Sequence, residues 1–260
     1  MGEVLARSVT ETALFEPAHV MVLDHNPDKL QRIQASTGIQ ISQRLADLAQ
    51  AEILLLAVKP DNVPEILTEL SQYQRPSDQL IISIVAGVTL QEIGAYLKAN
   101  SAIVRVMPNT PCQVRAGMSV LAQNQYVNSS QIQKAQAIFE AVGKTLILPE
   151  KYLDAVTGLS GSGPGFFFLI VDAMIEAGVL QGLPRGVSRQ LVLQTLLGSA
   201  QLMEATDGHP AQLRDMVTSP GGTTIAGIQV MEEYKIRATL LKTVETATQR
   251  SRELGQKNRK

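Results

Sequence analysis

The strongest constraint on the fold is a change of hydrophobic pattern at Pro149. Before this residue, short apolar and β-branched runs alternate with stretches of helical periodicity, and after it only helical stretches follow. Alternating strands and helices are typical of a parallel sheet covered by helices, whereas an unbroken series of helices indicates an all-helical layer. The sequence therefore predicts an α/β domain over residues 1–149 and an all-α domain over residues 150–260.

Strand-sized and helix-sized segments can be assigned within the first domain. The run Ile53-Leu54-Leu55-Leu56-Ala57-Val58 does not alternate between polar and apolar residues, as expected of a strand buried on both faces. The predicted strands cover residues 20–23, 53–58, 80–84, 103–106, 119–121 and 145–148. The predicted helices between them include residues 3–12, 28–37, 62–73 and 130–141.

The helical half carries a segment that is apolar on nearly every side. In residues 166–180, Phe167, Leu169, Ile170 and Val179 point in different directions around a helix. The helical half is too short to wrap such a helix alone, so burial against a second copy is the economical solution. The sequence predicts a homodimer formed through residues 150–260, with a self-contained helical bundle as the alternative.

Composition excludes several classes of function. Lysine and arginine number 23 against 24 aspartates and glutamates, and this balance disfavours nucleic acid or an anionic membrane as the main partner. A single cysteine, Cys112, excludes an internal disulfide framework, and only three histidines are present, so we expect no metal site. No run reaches the roughly 18 apolar residues of a membrane span, and no signal-peptide layout opens the chain. We expect a cytoplasmic protein that uses neither a membrane nor nucleic acid.

The start of the chain departs from the usual dinucleotide-binding pattern. A Rossmann-type domain opens with a strand and a G-x-G-x-x-G loop, but here Met1-Gly2 stands where only the last glycine of that loop would be. We therefore expect a Rossmann-type domain whose first strand is missing because the sequence starts late. Asp24, at the end of the strand 20–23, is placed to hold the ribose 2′-hydroxyl of NAD, whereas His25 and Asn26 could contact the 2′-phosphate of NADP. A plain strand end is the alternative.

Two glycine-rich loops precede predicted helices, at residues 159–164 and 218–224. Glycines allow backbone N–H groups to converge on an anion, and the helix dipole adds to the attraction. The alternative is a tight turn with an N-cap, and spacing alone does not decide between them.

The second of these loops is part of a recognisable set of motifs. Residues 217–227, Val-Thr-Ser-Pro-Gly-Gly-Thr-Thr-Ile-Ala-Gly, closely resemble the signature of the pyrroline-5-carboxylate reductases. Other stretches agree with that family in order and spacing: Ala57-Val58-Lys59-Pro60, Ser83-Ile84-Val85-Ala86-Gly87-Val88, Met107-Pro108-Asn109-Thr110-Pro111 and Ser160-Gly161-Ser162-Gly163-Pro164. The resemblance covers nearly the whole chain.

This resemblance implies reduction of 1-pyrroline-5-carboxylate to L-proline, the last step of proline biosynthesis. It implies NADPH as the preferred cofactor, NADH as an alternative, and a homodimer that in some members assembles into rings of dimers. Thr224 corresponds to the active-site threonine that hydrogen-bonds the ring nitrogen. The implied substrate-binding residues are Ser219, Gly221, Gly222, Thr223, Glu150 and Asp207. The implied cofactor-binding residues are Gly2, His25, Asn26, Ala57, Val58, Lys59, Pro60, Ala86 and Asn109.

Two other functions remain open on the sequence. The missing first strand and phosphate loop would leave a dimeric scaffold that cannot hold a dinucleotide. A related imine or hydroxyacid dehydrogenase would share the fold, although the loop from Ser219 to Thr224 favours the reductase.

Overall fold

The structure, a computed structural model, describes residues 1–74 and 79–257 and divides into two units. The first unit comprises Met1–Ser162 together with the chain from Glu245 onward, and the second comprises Gly163–Val244. The last helix therefore begins in the second unit and ends in the first. The predicted domain boundary at residue 149 stays a prediction.

Strands occur only in the first unit within the described residues. They are β1 (Met21–Leu23), β2 (Gln40–Ser42), β3 (Ile53–Leu56), β4 (Leu80–Ser83), β5 (Ala102–Met107), β6 (Gly117–Gln123) and β7 (Gly143–Ile147). The helices up to residue 156 are α1 (Gly2–Glu11), α2 (Pro27–Thr37), α3 (Val63–Tyr73), α4 (Leu90–Tyr96), α5 (Ser129–Glu140) and α6 (Leu153–Val156). A π-helical segment, Thr157–Gly161, leads to α7 (Gly163–Leu180), α8 (Arg185–Thr206), α9 (Pro210–Met216), α10 (Thr223–Glu233) and α11 (Ile236–Lys257).

The strands form two separate sheets in the described part of the chain. β1 pairs with β2 in parallel, and the second sheet has the order β3-β4-β5-β6-β7. Strands β3, β4 and β5 are parallel, as predicted, but β6 runs antiparallel to β5, with Val104 opposite Gln123. No described strand joins β1 to β3, which is the position that a first strand of a Rossmann-type sheet would occupy.

Helices cover both faces of the larger sheet. On one face, Leu80, Ile82 and Val104 pack with residues of α1 and α5, including the fully buried Phe139. On the other face, Ile81 and its neighbours pack with residues of α3 and α4. Successive strand residues point to opposite faces, so a run that is apolar throughout is what a sheet covered on both sides requires.

The second unit leaves much of its apolar surface uncovered in the single chain. On α7, Phe168 is 66% and Leu169 is 73% exposed. Helices α7 and α8 nevertheless approach closely, because the Ser188 hydroxyl donates a 2.8 Å hydrogen bond to the Ile175 carbonyl and a Cβ at Gly178 would lie 2.2 Å from that hydroxyl. The unit is therefore built around a tight helix pair whose outer surface is apolar.

One helical stretch is longer than the sequence suggested. Glu150–Leu180 is long and apolar enough to cross a membrane by length and composition, although uninterrupted apolar runs predicted no such segment. The length of uninterrupted apolar runs did not reveal this stretch, because polar residues interrupt its apolar residues. Length and composition alone do not identify a membrane span, since helices that pack against protein meet the same criterion. The stretch also carries two acidic side chains, Asp172 and Glu176, one helical turn apart, and charged side chains are rare in membrane-spanning helices.

The start of β7 depends on a glycine without a side chain. Gly143 has φ +149, and a Cβ there would lie 2.0 Å from the Gly117 carbonyl oxygen. We expect Gly143→Ala to lower the free energy of unfolding by about 2 kcal/mol or more, because backbone atoms must move. Denaturant unfolding followed by circular dichroism measures this change.

Gly94 provides the matched control, because a Cβ there would lie 3.5 Å from the Ile103 Cδ1 atom, an ordinary contact. Inside α4, Gly94→Ala should stabilise the chain by roughly 0.5–1 kcal/mol. Equal unfolding midpoints for Gly143→Ala and the parent chain would contradict this account of β7.

Candidate active site

Three of the predicted cofactor loops lie at one edge of the larger sheet. Ala57 directly follows β3, Ala86 lies in the loop after β4, and Asn109 lies in the loop after β5. The three strands are adjacent and parallel, so their carboxyl ends meet at the same edge. Ligands of open α/β sheets bind outside these carboxyl ends.

The amino end of α1 approaches the first of these loops. Gly2 is the first residue of α1, and a Cβ at this position would lie 2.8 Å from the Ala57 Cβ atom. The first N–H groups of a helix lack intrahelical acceptors and carry a partial positive charge. The predicted residues Val58, Lys59 and Pro60 continue the loop, with Lys59 exposed just before a 3₁₀ turn. Gly2 and Ala57 are thus brought together, and the approach leaves no space for a side chain at residue 2.

The predicted nucleoside-recognition residues follow β1. The Asp24 carboxylate accepts a 3.0 Å hydrogen bond from the Asn26 N–H, lies 3.3 Å from the His25 Nδ1 atom and contacts the Lys29 ammonium group. Burial raises the pKa of Asp24, but hydrogen bonds from Lys29 and the Asn26 N–H and the charge of Lys29 outweigh it, so the pKa lies below the usual 3.8. The Asn26 side chain caps α2 by accepting from the Lys29 N–H. The His25 side chain is 97% exposed and remains accessible to a ligand.

The side-chain amide of Asn109 is engaged within the protein. Its oxygen accepts a 2.9 Å hydrogen bond from the Met118 N–H, and its nitrogen donates to the Ser160 carbonyl at 3.3 Å. A Cβ at Gly161 would lie 2.6 Å from the Met107 Cε atom, so the π-helical segment packs closely against the end of β5. Asn109 thus ties the loop after β5 to the segment that precedes α7.

Glu150 also has partners within the first unit. One carboxylate oxygen, Oε1, accepts from the Arg105 guanidinium at 3.0 Å and from the Leu90 N–H at 2.8 Å. Sequence reasoning missed Arg105, although a lone charge within the apolar run Ile103-Val104-Arg105-Val106 was a signal. A charged residue in a strand covered on both faces needs a partner.

The remaining predicted substrate residues lie in the second unit, most of them in one loop before α10. Gly221 has φ +66, a conformation that favours glycine, and the Gly222 N–H donates a 3.0 Å hydrogen bond to the Ser219 carbonyl. A Cβ at Gly222 would lie 2.3 Å from the Ser219 hydroxyl. Thr223 and Thr224 are the first two residues of α10. The loop therefore presents hydroxyl groups together with the free N–H groups of a helix amino end.

Asp207 lies at the carboxyl end of α8 with φ +48 and is exposed. The predicted substrate set is thus divided, with Glu150 in the first unit and the other members in the second.

A shallow cavity of about 450 Å³ lies elsewhere in the first unit and is lined by Leu90, Gln91, Gly94, Asn124, Gln125 and Tyr126. It contains none of the predicted site residues. Within residues 1–74 and 79–257, no group of three or more His, Cys, Asp or Glu side chains is placed to hold a metal ion.

Two family models match this chain, one in the α/β part and one in the helical part. Residues 150–254 match the pyrroline-5-carboxylate reductase dimerisation model, and residues 1–87 match the model of the coenzyme F420-dependent NADP oxidoreductases. The fold class is confirmed: a Rossmann-like NAD(P)-binding α/β domain precedes a helical dimerisation domain.

Relatives cover nearly the full length of the chain. A pyrroline-5-carboxylate reductase from Synechocystis sp. is 44% identical over 256 residues, covering 98% of this chain and 94% of the relative. The chain belongs to the pyrroline-5-carboxylate reductase family. The enzyme of that name from Escherichia coli is 34% identical over 98% of this chain and 95% of its own length. The family is one of soluble enzymes.

Solved structures of pyrroline-5-carboxylate reductases superpose closely. The structure from Coxiella burnetii has a TM-score of 0.91 at 34% identity, covering 97% of this chain and 94% of its own. The structure from Plasmodium falciparum, which has NADP bound, has a TM-score of 0.88 at 31% identity, covering 98% and 94%. A prephenate dehydrogenase from Aquifex aeolicus shares only the fold, with a TM-score of 0.53 at 14% identity.

The ion pair between Asp24 and Lys29 should make the stability of the folded chain depend on pH. Because the pKa of Asp24 is lower in the folded chain than in the unfolded chain, its stabilisation is present above the unfolded pKa of about 3.9 and is lost as the pH falls through the folded pKa. We expect Asp24→Asn to lower the free energy of unfolding at pH 7 by about 0.5–1 kcal/mol, a small value because Lys29 is 41% exposed. Urea unfolding between pH 2 and pH 7 measures it.

The difference between parent and Asp24→Asn should shrink below about pH 4. The exposed Asp61→Asn serves as the control. A difference that stays constant throughout the pH series would rule out this role for the Asp24 carboxylate.

Proposed function

We propose that this chain reduces 1-pyrroline-5-carboxylate to L-proline with NADPH as the hydride donor, the last step of proline biosynthesis. The observation that carries the proposal is the 44% identity with a pyrroline-5-carboxylate reductase over 98% of the chain. A related imine or hydroxyacid dehydrogenase has weaker support, because likeness at 14% identity concerns only the fold.

The first unit provides a surface suited to a dinucleotide. The free N–H groups of α1 beside Gly2 attract phosphate, and the loop from Ala57 to Pro60 and the exposed Ala86 border the same sheet edge. The close approach of Gly2 to Ala57 and the φ of +76 at Gly87 leave the backbone of both loops free of side chains on this edge, which supports the proposal. A bound NADPH supplies the hydride, and these residues hold and orient it.

The residues after β1 favour NADPH over NADH. Lys29 already neutralises Asp24, and the exposed His25 and Asn26 add polar groups for a 2′-phosphate. Asp24 itself can accept a bond from a ribose hydroxyl, so NADH is an alternative donor.

The loop before α10 fits the anionic end of the substrate. Ser219, Gly221, Gly222 and Thr223 would hold the substrate carboxylate with hydroxyl and backbone N–H donors at the helix amino end. The helix dipole of α10 attracts an anion at its amino end, where this loop lies, and would repel an anion at its carboxyl end.

Thr224 is the proposed catalytic residue. Its hydroxyl would hydrogen-bond the ring nitrogen and orient the imine, so that the nitrogen carries the proton while the imine carbon receives the hydride. Asp207 would place a carboxylate near the same positively charged ring. Neither step requires a nucleophilic side chain or a metal ion.

A homodimer through the helical half would cover the apolar surface of the second unit. Leu169 is 73% and Leu241 is 74% exposed in the single chain, and residues 150–254 match a dimerisation model. We place the NAD(P)-binding domain at residues 1–149, the dimerisation domain at residues 150–260 and the enzyme in the cytoplasm, with higher rings of dimers as a further assembly.

The adjacent threonines at the start of α10 should give different kinetic defects. We expect Thr224→Ala to lower kcat by about 10²-fold or more, because the ring nitrogen loses its hydrogen-bond partner. Thr223→Ala should mainly raise KM for the substrate, about tenfold for one lost hydrogen bond. Steady-state NADPH oxidation measures both constants.

The exposed Thr68→Ala on α3 is the control, and light scattering should give the same dimer mass for all variants. An unchanged kcat in a folded, dimeric Thr224→Ala variant would remove the proposed catalytic role.

Cofactor binding separates the reductase from the dimeric scaffold. Titration of the chain with NADPH, followed by nucleotide fluorescence, should show saturable binding at micromolar concentration, with weaker binding of NADH. The scaffold hypothesis gains support instead if fluorescence rises only linearly with added nucleotide while the protein is folded and dimeric.

A further inference from the structure

A buried cation lies in the middle of the larger sheet. Arg105 is on β5, between β4 and β6, and its side chain is only 9% exposed. An unpaired guanidinium in such a place is strongly unfavourable, and removing one member of a buried pair leaves the other uncompensated. Among the described residues, the carboxylate within ion-pair distance of Arg105 is that of Glu150, at 3.0 Å.

The same carboxylate oxygen fixes the beginning of α4. Glu150 Oε1 accepts a 2.8 Å hydrogen bond from the N–H of Leu90, the first residue of that helix. This N–H group has no acceptor within the helix. The preceding residue, Thr89, is held independently by a capping box with Glu92. The Glu150 carboxylate therefore both compensates the charge of Arg105 and adds a second contact at the start of α4, beside the capping box.

The chain segment immediately before α4 is the loop that contains Ala86. Its first part is held by the Ser83 hydroxyl, which accepts a 3.3 Å hydrogen bond from the Val85 N–H. Its middle lies against α11, since a Cβ at Gly255 would be 3.2 Å from the Gly87 carbonyl oxygen. Glu150, through Leu90, holds its end. Ala86 is exposed between buried neighbours, so the loop presents its backbone outward from a fixed base.

We propose that Glu150 is a positioning residue that holds the loop of residues 84–89 in shape for the nicotinamide cofactor, acting through Arg105 and the Leu90 N–H. The proposal rests on the proposed function, because that function places the cofactor against this loop. It assigns to Glu150 a role on cofactor binding, in place of contact with the substrate. The Oε1 atom already accepts from two donors of the first unit, which fixes the orientation of the whole carboxylate relative to β5 and α4.

The Glu150→Gln variant tests this role, because it keeps the size and an acceptor oxygen but removes the charge that Arg105 requires. We expect the Kd for NADPH, measured by fluorescence titration without substrate, to rise about tenfold. The KM for NADPH should rise by a similar factor. The KM for 1-pyrroline-5-carboxylate and kcat should stay within twofold of the parent. A substrate ligand would give the opposite split, and that result would overturn the proposal.

Two further variants keep the test decisive. The exposed Glu69→Gln on α3 is the matched control and should leave the Kd for NADPH unchanged. In a double-mutant cycle, Arg105→Met and Glu150→Gln together should weaken NADPH binding no more than the larger single effect, because both remove one interaction. Additive losses would contradict action through Arg105.

Folding is checked by thermal unfolding followed by circular dichroism. If Glu150→Gln does not fold, Glu150→Asp replaces it, since the charge is kept but the carboxylate is one methylene shorter, and a smaller rise in the Kd for NADPH is expected. An unchanged Kd in the folded variant overturns the proposal. A parent chain that binds NADPH but does not reduce the imine would overturn the proposed function alone, and the comparison of Kd values would still decide the role of Glu150.

Discussion

The site depends on the parallel alignment of β3, β4 and β5. Ile53 lies beside Leu80, and Leu80 lies beside Ala102, so the strands end nearly level and their following loops share one edge. This alignment is possible because both faces of the strands are covered by apolar helices. The apolar residues of β3, β4 and β5, which point alternately to the two faces, therefore determine where each strand ends and its cofactor loop begins.

Two polar ties connect this edge to the segment that leads into the helical half. Asn109 bonds the π-helical segment through Ser160, and Glu150 bonds both Arg105 and the Leu90 N–H. Each contact provides hydrogen-bond partners for partly buried polar groups. Without a partner, each such group would destabilise the fold by about 1–3 kcal/mol. The same contacts that stabilise the first unit thus fix the geometry of the loops that would bind the cofactor.

Much of the fold was predictable from the sequence because apolar periodicity is a local property. The predicted helix at 3–12 agrees with Gly2–Glu11, and the predicted strand at 80–84 agrees with Leu80–Ser83. The strand Gln40–Ser42 was missed because it is a short edge strand with a single apolar residue, and Leu90–Tyr96 was missed because it spans only two turns. The reversal of β6 was also missed, since strand direction depends on how a connection crosses the sheet.

The candidate site was less predictable than the fold. The family resemblance predicts Asn109 and Glu150 as site residues, but their partners, Ser160 and Arg105, lie 51 and 45 positions away in sequence. Such pairs form only when the sheet brings distant loops together, and no local pattern encodes them. Gly2 was predicted as a cofactor-binding residue from its place at the last glycine of the dinucleotide-binding loop, but its close approach to Ala57 became visible only in the structure.

The return of α11 to the first unit affects how the chain reaches its folded state. Ser251 donates a 2.8 Å hydrogen bond to Asp154, and Gly255 packs against Gly87, although the whole second unit lies between these segments in sequence. During synthesis, the loop containing Ala86 lacks this support until the last helix has left the ribosome, several seconds after the sheet itself has emerged. The nucleotide-binding half can collapse early, but its final packing awaits the synthesis of α11.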